Sequence, residues 1–181
     1  MRIRIGESRY NAAELADIMA LTVIRMRSKE QARRLVSHPV EAASFFPAGV
    51  WRVRRKVVDH MAGQRIVFEG MATITGDTFV EQGEVVADGR ALPAVRRYRL
   101  QRSGSATEVF FSDGRPFATF GELASQRVEH HCGDDLYAGR FLFVRPDFWV
   151  EFWRVGGPRK RYISLTRFER VPDDALSTAS R

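Results

Sequence analysis

From Gly49 onward the chain is punctuated too often to fold as anything but short extended segments. The glycine-bearing stretches "MAGQ", "TGD", "ADGR", "RSGS", "SDGR" and "VGGPRK" interrupt runs rich in Val, Ile, Phe, Thr and Tyr. The interruptions recur at roughly 8 to 12 residue spacing, the mark of a sandwich or barrel. The runs lie at approximately 49–59, 65–75, 78–86, 92–101, 106–112, 115–120, 124–132, 135–144, 147–155 and 161–171. None holds helical periodicity for three turns. The sequence therefore predicts an all-β antiparallel meander of about ten strands, and closing it into a barrel removes the exposed edges.

Successive side chains of a strand point to opposite faces, so each run separates into an inner and an outer set. Trp51, Val53 and Val57 share a face against Arg52, Arg54 and Lys56. Ile66, Phe68, Ala72 and Ile74 form the next inner set, followed by Phe79, Glu81, Gly83 and Val85, then Ala94, Arg96, Tyr98 and Leu100. In "VEHHCGDDLY", Val128, His130 and Cys132 fall together, and past the turn Asp135, Tyr137, Phe141 and Phe143 align through Gly139. The strand "FWVEFWRV" is apolar on both sides, with Trp149, Glu151, Trp153 and Val155 on one and Phe148, Val150 and Phe152 on the other.

Residues 1–45 have a different texture. Asn11 with Glu14, and Ser28 with Gln31, approximate capping boxes, and Leu15, Ile18, Met19 and Thr22 follow helical spacing. The chain thus divides into a helical extension at 1–45, a barrel at 46–171 and a flexible tail at 172–181. The helical stripe would cover one end of the barrel or form a homodimer face.

The formal net charge is +7, and only three of the 29 basic residues are lysines, Lys29, Lys56 and Lys160. The positives are spread along the chain rather than gathered in an arm, so nucleic acid is not expected as a partner. One cysteine cannot close an intramolecular disulfide, which suits a reducing compartment. The start lacks a signal peptide's order of regions, and its apolar run from Ile18 to Ile24 is too short to span a bilayer. These features predict a cytoplasmic protein without a membrane partner.

Gly49-Val50-Trp51 resembles the G-x-W that opens the first strand of lipocalins and the wider calycin group. That resemblance implies that Arg167 or Arg170, near the end of the last strand, stacks on Trp51 by a cation–π contact. The absence of paired cysteines departs from secreted lipocalins. A closer resemblance covers about residues 46–171. "GVWRVRR", "FEGMA", "FVEQG", "RRY" at Arg96–Tyr98, "DGRPF", His130-x-Cys132-x-x-Asp135-x-Tyr137 and "WRVGGPRKRY" occur in the order of an uncharacterised lipocalin-like domain family of bacteria and fungi. Where that family often has a histidine and an acidic residue, this chain has Ala118 and Arg161. The family has no established activity, so the resemblance implies a fold and candidate positions, not a reaction.

The inner face collects Glu81, Arg96, Tyr98, His130, Asp135 and Tyr137, with Arg55 and Glu151 as further candidates. Buried polar groups must satisfy one another or a ligand. One reading is a structural network, such as a salt bridge of Glu81 with Arg96. The other is a small-molecule site in a barrel just wide enough for one ligand. The sequence favours the site: a partly apolar, anionic ligand held by Arg96, Tyr98, Glu81, His130, Cys132, Asp135, Tyr137 and Trp153, with Lys160 at the mouth. The alternative is an enzyme in the same cavity, with His130 as acid or base and Asp135 or Glu81 as its partner. A zinc set from His130, Cys132 and Asp135, a Cys132 nucleophile, haem on His130 or His131, and nucleic-acid binding rank below these. No metal or cofactor is expected.

Overall fold

A computed structural model describes residues 45–177. Ten strands follow one another without interruption: β1 (Gly49–Asp59), β2 (Gln64–Thr75), β3 (Thr78–Ala87), β4 (Arg90–Ser103), β5 (Ala106–Phe111), β6 (Pro116–Phe120), β7 (Ser125–Cys132), β8 (Asp135–Arg145), β9 (Phe148–Gly156) and β10 (Arg161–Arg170). The expected strands thus form within about two residues of their bounds. A short helix, α1 (Asp173–Ser177), follows in the segment read as a flexible tail. The helical extension expected at 1–45, and the homodimer face assigned to it, lie outside the described residues apart from Phe45. No helix among the described residues is long and apolar enough to cross a membrane.

All pairings are antiparallel, in the order β6-β5-β4-β3-β2-β1-β10-β9-β8-β7. Because β1 pairs with β10, the meander curls round until its two ladder ends, β6 and β7, are neighbours in sequence. The barrel is nearly closed, and side chains close its seam. The Gln126 amide accepts from the Gly121 N–H at 3.3 Å and donates to the Gly121 carbonyl at 3.0 Å. Phe120 packs edge-on against Phe141 across the seam, centroids 4.7 Å apart.

The two ends of the barrel differ. At the end carrying the β2–β3, β4–β5 and β8–β9 turns, the inward side chains are fully packed. Trp51, Val53, Ile74, Phe79, Phe168 and Trp149 are all under 4% exposed. Burial of each large apolar side chain contributes on the order of 2 kcal/mol. Phe45 and Phe46, just before β1, seal this end. Phe46 meets Phe79, Phe120, Phe141, Phe143 and Trp149, all close to edge-on. The plug is tied in place by the Arg102 guanidinium, which donates to the carbonyls of Phe45 (3.4 Å) and Phe46 (3.2 Å), and by Trp51 Nε1, which donates to the Pro47 carbonyl at 3.2 Å. The Arg170 guanidinium lies 5.8 Å from the centre of the Trp51 ring, so Arg170 rather than Arg167 makes the contact expected there.

At the other end the inward residues are only half-buried: Val57, Ile66, Val85, Ala94, Phe117, Tyr137 and Tyr162. The result is a cup with an aromatic base and an open mouth. Its wall is uneven, because β4 outruns β5. Arg90–Arg97 pairs with β3, whereas the β4–β5 ladder begins at Tyr98↔Phe111. Pro93 falls in that one-sided stretch, where its missing N–H costs no ladder bond.

Candidate functional site

Four charged side chains cross the lumen between the aromatic base and the open cup. Arg55 (β1) grips Glu81 (β3) with both terminal nitrogens, Nη1–Oε1 at 2.9 Å and Nη2–Oε2 at 2.8 Å. Arg96 (β4) donates through Nη2 to the same Glu81 carboxylate at 2.8 Å and to Glu151 (β9) at 3.3 Å. Arg55 also lies 3.4 Å from Glu151 and donates to the Thr166 hydroxyl at 2.8 Å, which in turn donates to Glu151 at 3.0 Å. Two cations and two anions cancel, as buried charges must unless a ligand supplies the balance.

Strand register explains how these groups meet. Val53, Gly70 and Gly83 lie on one rung, with Arg55 one inward step above and Glu81 one inward step below. The two glycines leave the wall of β2 and β3 bare, and the Arg55 side chain crosses that strip to reach Glu81. A β-carbon at Gly83 would lie 2.2 Å from the Glu69 carbonyl oxygen, and one at Gly70 would lie 2.3 Å from that of Gln82. The close approach of the two backbones requires glycine at both positions.

Burial alone would push the Glu81 carboxyl up, but the Arg96 and Arg55 charges more than offset it and hold it below the ordinary range. Burial likewise works against the Arg96 charge and is overcome by Glu151 and Glu81, so the guanidinium stays protonated. Tyr98 is pushed up by burial, with Arg96 opposing. The Arg96 guanidinium sits over the Phe79 and Tyr98 rings at 5.8 and 5.4 Å.

The four side chains are not equally exposed. The carboxylate side chains are hidden, Glu81 at 2% and Glu151 at 4% exposure, while Arg55 keeps 16% and Arg96 28%. The arginines are therefore the more exposed members of the layer. Beside it a small cavity is lined by Arg96, Glu151, Tyr98, Phe117 and Trp149, with about 20 Å³ open to the centre of a water molecule. That is room for a water or two, so this deep part of the lumen is largely filled by side chains.

Tyr98, one inward step from Arg96 toward the packed end, stacks on Phe117, centroids 5.1 Å apart at 18°, and Phe117 leans on Trp153 at 5.6 Å. Strict alternation does not find Phe117. The β5–β6 ladder shifts register at Val109/Phe110, and Phe117 sits in that irregularity while Ala118 takes the regular place opposite Val109. His130 lies among rings, 5.2 Å from Phe111, 5.3 Å from Phe117 and 6.1 Å from Tyr137. Burial, then Arg115 and His131, lower its pKa.

At the mouth, Lys160 donates to the Tyr137 hydroxyl at 2.5 Å and approaches Asp135 at 3.7 Å. The hydrogen bond to Tyr137 raises the Lys160 pKa against burial. Tyr162 joins the group by an edge-on ring contact with Tyr137, centroids 6.4 Å apart, and burial followed by Tyr137 raises its pKa. Asp135 is 1% exposed, and neither of its carboxylate oxygens has a hydrogen-bond partner among the described residues. It lies under the β9–β10 turn, so close that a β-carbon on Gly157 would stand 2.1 Å from Oδ1.

Two expectations need correction. The His130–Asp135 pair required by the acid–base alternative is not formed. Asp135 opposes Cys132, one inward step beyond His130, and is covered by the Gly157 turn with Lys160 as its nearest cation. Glu81 is held by two arginines and is no partner for His130 either. Cys132, placed with the lumen residues, is exposed at the end of β7. Among the described residues no three His, Cys, Asp or Glu side chains converge as a metal site would require. Phe45, Phe46, Phe111, Phe117, Tyr162 and Thr166 were not singled out from sequence. Adjacent phenylalanines just ahead of Gly49-Val50-Trp51 are the one signal that pointed to the plug.

A family profile, "Family of unknown function (DUF6314)", matches residues 48–170, the whole barrel. The chain belongs to this family. No curated protein matches the sequence. The fold is similar to that of the S-type phycobiliprotein lyase from Guillardia theta, with a TM-score of 0.54 at 11% identity over 78% of this chain and 97% of that one. A protein of unknown function from the DUF3598 family of Nostoc punctiforme aligns with a TM-score of 0.49 at 12% identity, over 74% of this chain and 50% of that one.

Proposed function

We propose that this member of DUF6314 is a lipocalin-like binding protein whose cup takes a small, partly apolar molecule and meets its acidic group with Arg96 and Arg55. The observation that carries this reading is the asymmetry of the floor: the Arg55 and Arg96 side chains keep 16% and 28% of their surface exposed while both carboxylate side chains are buried. A carboxylate arriving from the mouth gains charge-assisted hydrogen bonds in a partly desolvated site, where they are stronger than in water. Rings on one side and Val57, Ile66, Val85 and Ala94 on the other supply apolar walls, the usual setting for a few convergent polar groups. The likeness to a phycobiliprotein lyase supports the barrel alone. An exposed thiol at the chain's one cysteine fits a reducing, cytoplasmic setting.

Calorimetric titration with a linear stilbene carboxylate and its neutral methyl ester tests the reading. The acid is expected to bind about tenfold tighter than the ester. Arg96→Met should erase that preference while Arg96→Lys keeps part of it. Equal binding of acid and ester by the unaltered protein would overturn the proposal.

A further inference from the structure

β4 leaves one edge of the sheet bare. Its ladder with β3 runs without a register shift from Arg90 to Arg99, whereas on its other side the ladder with β5 begins only at Tyr98. The Leu100 N–H donates to the Asp77 carbonyl at 2.6 Å, so the even-numbered residues of β4 turn their main-chain groups toward β3. Ala91, Pro93 and Val95 therefore turn theirs to the bare side. Arg90, Ala91, Leu92 and Pro93 are all exposed although their side chains alternate in direction, so neither face of this stretch is covered.

Apolar side chains left in solvent gather at the same edge. Leu92 is 64% exposed and Val95 53%, and Val86 and Val67, at 42% and 37%, continue the row from Ala91 across β3 and β2. Exposed apolar surface beside unpaired main chain is a template for one more strand. Pro93 withholds its N–H, which leaves the N–H groups of Ala91 and Val95 and the carbonyls of all three residues.

Charge selects which strand fits. β4 carries five arginines and no acidic residue. Arg96 is held by Glu81 and Glu151, and Arg102 by the plug, but Arg90 and Arg97 are exposed and form no ion pair among the described residues. Two copies of the chain pairing through this edge would bring like charges together. Glu84 and Glu69 lie level with Pro93 on the adjoining strands, so an added strand should be uncharged at its middle. Asp88, in the turn before Arg90, accepts from the Gln64 amide.

We propose that the bare edge of β4, from Arg90 to Arg97, docks an extended segment of a partner protein that is apolar at its centre and acidic at its ends. The segment adds a strand to the sheet through Ala91, Pro93 and Val95. Its apolar side chains lie along Leu92, Ala94 and Val95, and its acids meet Arg90 and Arg97.

Fluorescence anisotropy on the full chain tests this with two labelled octapeptides, an alternating valine–threonine core ending in glutamates and the same core ending in lysines. The glutamate peptide should bind about fivefold tighter. N-methylation of one alternate set of its amides should abolish binding while the other set is tolerated, because only one set faces β4. Val95→Pro removes an N–H from the bare side and none from the β3 ladder, so it should weaken binding about tenfold at unchanged Tm. Arg97→Glu should erase the preference for glutamate ends, and it carries the test alone if the proline variant does not fold. Equal binding of the two peptides, equal tolerance of both methylation patterns, or no binding of either peptide overturns the proposal. Self-association in sedimentation that Val95→Pro abolishes would give the edge to a second copy of this chain and overturn it as well.

Discussion

Arg55 and Glu81 sit two strands apart, yet both guanidinium terminal nitrogens reach the carboxylate, at 2.9 and 2.8 Å. The strand between them contributes Gly70 at the crossing point, so no side chain intervenes. Glu81 also accepts from Arg96, which makes it the hub of the lumen's charges. Removing one partner of a buried ion pair strands the other in a poorly solvated place.

Glu81→Gln should therefore destabilise the barrel by about 3 kcal/mol, within the range for a broken buried pair. Glu151→Gln should cost less, because its contacts to the arginines are longer, 3.3 and 3.4 Å. Urea unfolding followed by tryptophan fluorescence measures both. A smaller loss for Glu81 than for Glu151 would contradict the hub role.

The lowered pKa of Glu81 gives the acid dependence a definite sign. A carboxyl depressed in the fold stabilises it fully above the unfolded value, here 4.5, and that contribution is lost as pH falls through the lower folded value. Melting temperature should hold steady for this group above pH 4.5 and drop below it. The Glu81→Gln variant, already destabilised, should show the shallower decline. Parallel declines in the two proteins would refute the assignment.

Gly83→Ala tests the close approach of β2 and β3. Its β-carbon would meet backbone, the Glu69 carbonyl oxygen at 2.2 Å and Gly70 Cα at 2.5 Å, and neither can swing aside. A loss of about 2 kcal/mol is expected, in line with overpacked sites. Circular dichroism melts report it, and a variant as stable as the parent would show that the strip can widen.

Phe46→Ala tests the plug. Truncating a buried phenylalanine costs about 3–5 kcal/mol. Here it should also open the lumen from below, because Phe46 lines the cavity beside Arg96 and Trp149. The variant should gain fluorescence from anilinonaphthalene sulfonate in its native state. Loss of stability without that gain would mean the base collapses to refill the space.

The strand pattern, the barrel and the inward direction of Glu81, Arg96, Tyr137 and Trp153 were all legible in the amino-acid order. Period-two alternation and glycine turns act locally, residue by residue, and the floor pair Glu81–Arg96 needed only the hairpin register of β3 and β4. Tertiary structure decided what alternation cannot carry. Closure through β1 and β10 brought Arg55 and Glu151 to the same layer as Glu81. A bulge turned Phe117 inward, a long β4 beside a short β5 left the wall uneven, and the β9–β10 turn covered Asp135 and brought Lys160 near it. Which half of the lumen is packed and which is open depends on contacts between residues far apart in the chain, such as Arg55 with Thr166, 111 positions away. Such contacts exist only once the sheet has closed on itself.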